Sequence, residues 1–148
     1  MPRKACGPHS ARWAINAIGL TYKEDDGLEH KSVSPSSMLK IFVAHGFSPR
    51  FIQMYGDKVQ LLRGVNLLLK THRPVVLFVR GRLFPHWVVL CGRNKDMYCL
   101  YDPSVLADSD TTLPVGNRAV SGEKLLQIWS LKPWSYLIPS WQYIAITV

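Results

Sequence analysis

At Pro74 the spacing of apolar residues changes, and that change constrains the fold more than any other feature. Before it, apolar residues recur every three or four positions, the spacing of helices with one buried stripe. After it comes Val75-Val76-Leu77-Phe78-Val79, a β-branched run of the kind that forms a fully buried strand. His86-Trp87-Val88-Val89-Leu90-Cys91 and Met97-Tyr98-Cys99-Leu100-Tyr101-Asp102 then read as the strands of a hairpin. Arg93-Asn94-Lys95-Asp96 supplies the turn chemistry between them. Asp102-Pro103-Ser104 ends the second strand, since proline has no N–H for the ladder. Helices first and an antiparallel sheet afterwards is the order of an α+β domain.

The helical half divides at its own punctuation. A first helix should begin just after Cys6-Gly7-Pro8, because a proline in the first turn gives up an N–H that has no partner there. It continues through Ala11, Ala14, Ile15 and Ile18 to Gly19. After a charged loop, Ser34-Pro35 opens a second helix with Met38, Ile41, Phe42 and His45 along one stripe and Gly46 as its stop. A third is expected from Val59 to Thr71, turning Leu62, Val65, Leu68 and Leu69 inward. Further on, a long loop carrying Asp108 and Asp110 leads to a fourth helix, Ser121 to Leu131. Tyr143 to Val148 form a closing strand.

Size and composition exclude several classes. With 148 residues, 1–148 should make one domain that buries about two-thirds of its unfolded surface. Hydrophobic residues at 47% against 19% charged exclude a disordered tail. The longest apolar runs fall far short of the roughly 20 residues that span a bilayer, so no membrane span is expected. Met1-Pro2-Arg3-Lys4-Ala5 has no apolar stretch behind it, which gives no readable secretory signal and points to a protein cytoplasmic as synthesised. Cys6, Cys91 and Cys99 are too scattered for a disulfide scaffold and lack metal-ligand spacing, so free thiols and no metal site are expected. The net charge is +8, and eight basic residues with no carboxylate lie between Lys58 and Lys95. Such a stretch suits an anionic partner or is simply a solvated face. No nucleic-acid-binding motif accompanies it, and nucleic acid is not expected as a partner.

Cys6 is the first candidate for chemistry. At a helix start, unpaired N–H groups and the macrodipole favour an anion, which is how a cysteine becomes a thiolate at neutral pH. His86 opens a strand and Asp102 closes its hairpin partner. With the turn centred near Asn94 the two are close to opposite, on one face, with β-carbons about 5 Å apart. A carboxylate there can orient an imidazole that takes a proton from a thiol. Taken singly, each has an ordinary alternative: a small buried cysteine, a strand-end histidine, a turn aspartate. The remaining candidates read as structural. His9 shares a helix face with Cys6, His45 and His72 end helices, and His30 sits in a polar loop. Cys91 and Cys99 have the opposite strand parity and should point away from the site. Trp129, Trp134 and Trp141 should pack the C-terminal helix and strand.

Cys6-Gly7-Pro8 before a helix, Pro74-Val75-Val76-Leu77-Phe78-Val79, His86-Trp87-Val88-Val89-Leu90 and Tyr101-Asp102-Pro103 together resemble papain-like cysteine peptidases. Among these the chain looks most like the bacterial double-glycine leader peptidases and their stand-alone relatives, over residues 6 to 104. The His86-Trp87 pair also resembles Josephin-type deubiquitinases, which share the order Cys, His, then Asp or Asn. The resemblance implies a papain-like α+β fold and a Cys6-His86-Asp102 triad that cleaves a peptide or isopeptide bond of a protein or peptide substrate without a cofactor. The family usually places a glutamine before the cysteine to bind the oxyanion. None of the five residues before Cys6 is Gln, which leaves Gln53, Gln60 and Asn16 as candidates or marks a chain that begins late.

A small basic papain-like domain also resembles bacterial effectors and toxins exported by specialised secretion systems, which have inhibitors or immunity proteins as further partners. The same thiol could serve an acyltransferase, and the same fold a catalytically inactive docking module. Specificity is expected from Phe84-Pro85 and the stretch from Asp108 to Asn117.

Overall fold

The protein was analysed as a computed structural model that describes Ala14 and residues 34–71, 75–81, 85–102 and 116–147. Helix α1 is Pro35–Ala44, and the Ser34 side chain caps it by accepting from the Ser37 N–H. Strand β1, Arg50–Gln53, follows, then helix α2, Lys58–Thr71. Asp57 and Gln60 open α2 with a reciprocal capping box, each backbone N–H donating to the other's side chain at 2.9 Å. Then come β2 (Val75–Arg80), β3 (Pro85–Asn94), β4 (Met97–Tyr101), β5 (Arg118–Ser121), α3 (Gly122–Trp129), the short α4 (Trp134–Leu137) and β6 (Ile144–Thr147). Among the described residues no helix is long and apolar enough to cross a membrane.

Among the described residues, six strands form one sheet in the order β1-β6-β2-β3-β4-β5, with every pair antiparallel. Its two faces explain the unbroken apolar run that opens the strand half of the chain. Val75, Leu77 and Val79 pack with Leu61, Val65, Leu68 and Leu69 of α2 and with Leu125 and Trp129 of α3. Val76 and Phe78 face the other way, against Met38, Ile41 and Phe42 of α1 and against Ala14, which is helical and fully buried. A strand covered by helices on both sides has no polar face to alternate. β3 repeats the pattern: Val88 and Leu90 join the first cluster, Trp87 and Val89 the second. Trp87 stacks on Phe78 with centroids 4.5 Å apart. The expected second, third and fourth helices and the hairpin thus assemble into the expected α+β fold.

Three expectations change. β1 and β5 were not expected: both are four-residue edge strands, held by ladder bonds to β6 and β4 rather than by a buried stripe of their own. The hairpin turn is Lys95-Asp96, with Lys95 in the left-handed region at φ 56°, rather than centred near Asn94. The closing strand starts at Ile144, because Tyr143 is also left-handed at φ 51° and its N–H donates to the Trp129 carbonyl. The Trp129 ring N–H in turn donates to the Ile144 carbonyl at 2.8 Å, tying α3 to β6 as the tryptophan pattern suggested. The first expected helix lies outside the described residues apart from Ala14.

Candidate active site

His86 stands one residue into β3, paired with Val79 at the end of β2. Asp102 immediately follows β4. Between these strands the register is Gly92↔Cys99 near the turn but Leu90↔Leu100 beyond it, so Cys91 is an extra residue, a β-bulge. The bulge decides which faces meet. Continued without it, the turn-side register would set Asp102 across from Val89 and leave His86 on the opposite face, since a one-residue slip reverses every side chain. With it, the Val89↔Tyr101 pairing carries on to place Asp102 across from Val88, two residues from His86 and on the same face. The two are therefore diagonal neighbours rather than opposed residues. Diagonal positions lie about 7–8 Å apart at the backbone, within reach of an imidazole and a carboxylate.

The contact is made. His86 Nε2 lies 3.1 Å from Asp102 Oδ1. The His86 side chain is 12% exposed and that of Asp102 1%. With Nε2 donating to the carboxylate, the neutral ring keeps its proton there and Nδ1 is left with a lone pair. The second carboxylate oxygen is also held: Arg118 Nη1 donates to Asp102 Oδ2 at 2.9 Å. The backbone of Asp102 is fixed by Asn117, whose side-chain oxygen accepts from the Asp102 N–H at 2.7 Å and whose amide donates to the Asp102 carbonyl at 3.0 Å. Asn117 was expected in a specificity loop. Its side chain instead completes the ladder where β4 ends, while its own N–H donates to the Leu100 carbonyl at 2.9 Å.

Arg118 escaped sequence reasoning. It is one of 18 Lys and Arg, on a strand too short to show alternation. The one available signal was Gly116-Asn117 before it, a turn dipeptide that can lay a new strand beside the one ending at Asp102. Gly116 adopts φ 85°, and a β-carbon there would collide with the Leu100 carbonyl oxygen and stand 2.8 Å from its carbon. Only glycine lets the chain pass so close.

Two of the residues considered for the oxyanion have other roles. Gln53 lies on β1, three strands and roughly 14 Å from β3. Its amide donates to the Ser140 and Gln142 carbonyls at 2.7 and 3.3 Å. Gln60 is turned back on Asp57 in the capping box. Cys91 packs on the face of Trp87 and Val89, and Cys99 is buried. Burial pushes the Cys91 thiol up to about 12, and the nearby Cys99 adds to the shift, so Cys91 stays a protonated, unreactive group. His45 ends α1 with Nδ1 2.7 Å from the Ile41 carbonyl oxygen. Cys6, His9, Asn16, His30, His72, Phe84 and Asp108 lie outside the described residues.

Comparison with solved structures finds the same architecture. The peptidase domain of Streptococcus ComA, a bifunctional ABC transporter involved in a quorum-sensing pathway, superposes with a TM-score of 0.62 at 16% identity, over 99% of this chain and 91% of that one. The chain has the papain-like peptidase fold. The peptidase domain of Streptococcus mutans ComA, alone or with a small-molecule inhibitor, gives 0.59 at 16% identity, over 99% of this chain and 92% of each of those. No protein-family profile and no curated protein matches the chain.

Proposed function

We propose that residues 1–148 form one papain-like domain acting as a cysteine peptidase, with Cys6 as nucleophile, His86 as base and then acid, and Asp102 orienting the imidazole. The observation that carries this reading is the 3.1 Å contact between His86 Nε2 and a buried Asp102 carboxylate, in a fold shared with peptidase domains. It presents Nδ1 as the ring atom able to take the thiol proton. The Cys6 sulfur then bonds to the substrate carbonyl carbon. His86 returns its proton to the departing amine nitrogen as the C–N bond breaks, and water, deprotonated by the same imidazole, hydrolyses the thioester.

The substrate is a protein or peptide. The finer reading, an exported effector or toxin opposed by an immunity protein, rests on the basic charge of the chain and its resemblance to exported papain-like domains. A gene neighbourhood holding an immunity partner would support it, and one holding a transporter and its precursor would replace it.

An electrophilic thiol probe tests the chemistry. Cys6 should label at neutral pH, mapped by mass spectrometry, and labelling should collapse in His86→Ala. Labelling that is equal in both proteins, or absent from folded wild type, returns the chain to the docking-module alternative. Product analysis with an added amine separates hydrolysis from acyl transfer.

A further inference from the structure

The carboxylate beside His86 is held from its far side by a residue of another strand. Asp102 is fully buried, and a buried carboxylate is expensive unless a cation and hydrogen bonds compensate it. Arg118 supplies both through Nη1 at 2.9 Å, with its own side chain 29% exposed. Its bond is to Oδ2 while that of His86 is to Oδ1, so the guanidinium fixes the rotation of the carboxyl group about its Cβ–Cγ bond. We propose that Arg118 is a positioning residue of the active site, acting on His86 through Asp102, and that strand β5 delivers it.

The local construction fits that role. Gly116 brings the chain against Leu100, Asn117 clips both backbone groups of Asp102, and Arg118 then pairs with Leu100 in the β4–β5 ladder. Three consecutive residues thus place one guanidinium. Without it, the carboxyl group turns or takes a proton more readily, and either change weakens the acceptor aimed at Nε2. His86 would then lose the bond that keeps its proton on Nε2 and its lone pair on Nδ1. A merely structural ion pair would affect folding and leave the ring alone.

The inference rests on the proposed triad, but its test has a readout independent of Cys6. In the full chain, the His86 Nε2–H signal is followed by 15N-edited NMR in wild type, Arg118→Gln, Arg118→Lys and Arg118→Ala. The expected result is solvent exchange of that proton at least about tenfold faster in Arg118→Gln, the low end for losing one charge-assisted hydrogen bond. Arg118→Lys should fall between the two. Guanidinium ion well below denaturing concentration should restore slow exchange in Arg118→Ala, because the arginine site is open to solvent. Cys6 alkylation should fall and recover in parallel. Wild-type exchange in folded Arg118→Gln overturns the proposal; if that variant does not fold, wild-type exchange in Arg118→Lys does so. A wild-type Cys6 that never labels, with ring exchange still answering to Arg118, removes the peptidase reading and leaves the positioning role intact.

Discussion

Replacing Asp102 with Asn changes one atom of a side chain whose two ends have different demands. One end faces Arg118 at 2.9 Å, a donor only; the other faces His86 Nε2 at 3.1 Å. An amide has one oxygen and one NH2, so it can serve only one of them as an acceptor. The charged guanidinium makes the stronger bond and takes the oxygen, which turns the NH2 toward His86. Nε2 must then accept, the ring proton moves to Nδ1, and the atom proposed to receive the Cys6 proton already carries one. Arg118 therefore makes this substitution worse for chemistry than an isolated His–Asp pair would suggest. A hydrogen bond to a charged group is worth about 1.5–3 kcal/mol, which corresponds to a loss of roughly 10- to 150-fold. The helix-terminal activation expected of Cys6 keeps the loss below the ~10,000-fold seen when a serine triad loses its carboxylate. The shape is unchanged and Arg118 is partly solvated, so the fold should persist. The assay is the rate of Cys6 acylation by a peptide electrophile, with the 15N shifts of the His86 ring reporting the tautomer. Turnover should fall more than affinity, as for an interaction used in the transition state. An Asp102→Asn protein with wild-type rate and its ring proton still on Nε2 would refute the reasoning.

Gly116→Ala should destabilise the fold by about 1–3 kcal/mol, measured by urea titration, because a left-handed non-glycine residue here also collides with Leu100. It should depress Cys6 labelling as well, since Asn117 and Arg118 move with it. Cys91 and Cys99 should resist a thiol reagent at pH 8 until the protein unfolds. Replacing both by Ala should lower stability more than activity. Burial holds the Cys91 proton up to about 12 in the folded state, whereas an unfolded cysteine loses it near 8.5. The native state then binds more protons than the unfolded one, so thermal stability should decline as pH rises through that window. Gln53→Ala should leave labelling of Cys6 at the wild-type level, because its amide bonds the backbone at Ser140 and Gln142.

Where one segment carries its own physical signal, sequence and structure agree. Ser34-Pro35, the stripe Met38-Ile41-Phe42, the spacing Val65-Leu68-Leu69 and the run Val75–Val79 each state a cap, a buried face or a two-sided strand within a dozen residues. The His86 and Asp102 pairing was visible for the same reason: both stand at the ends of strands of one hairpin. Tertiary structure alone decided how they meet. The extra residue Cys91 leaves no mark in a run of apolar residues, yet it sets the parity that puts imidazole and carboxylate on one face. β1 and β5 carry no pattern because an edge strand is stabilised by the neighbour it pairs with, and that neighbour is distant or irregularly connected in sequence. Arg118 is invisible for a related reason. A charge declares its purpose only through what it is buried against, and Asp102 becomes its partner when β5 lies down beside β4.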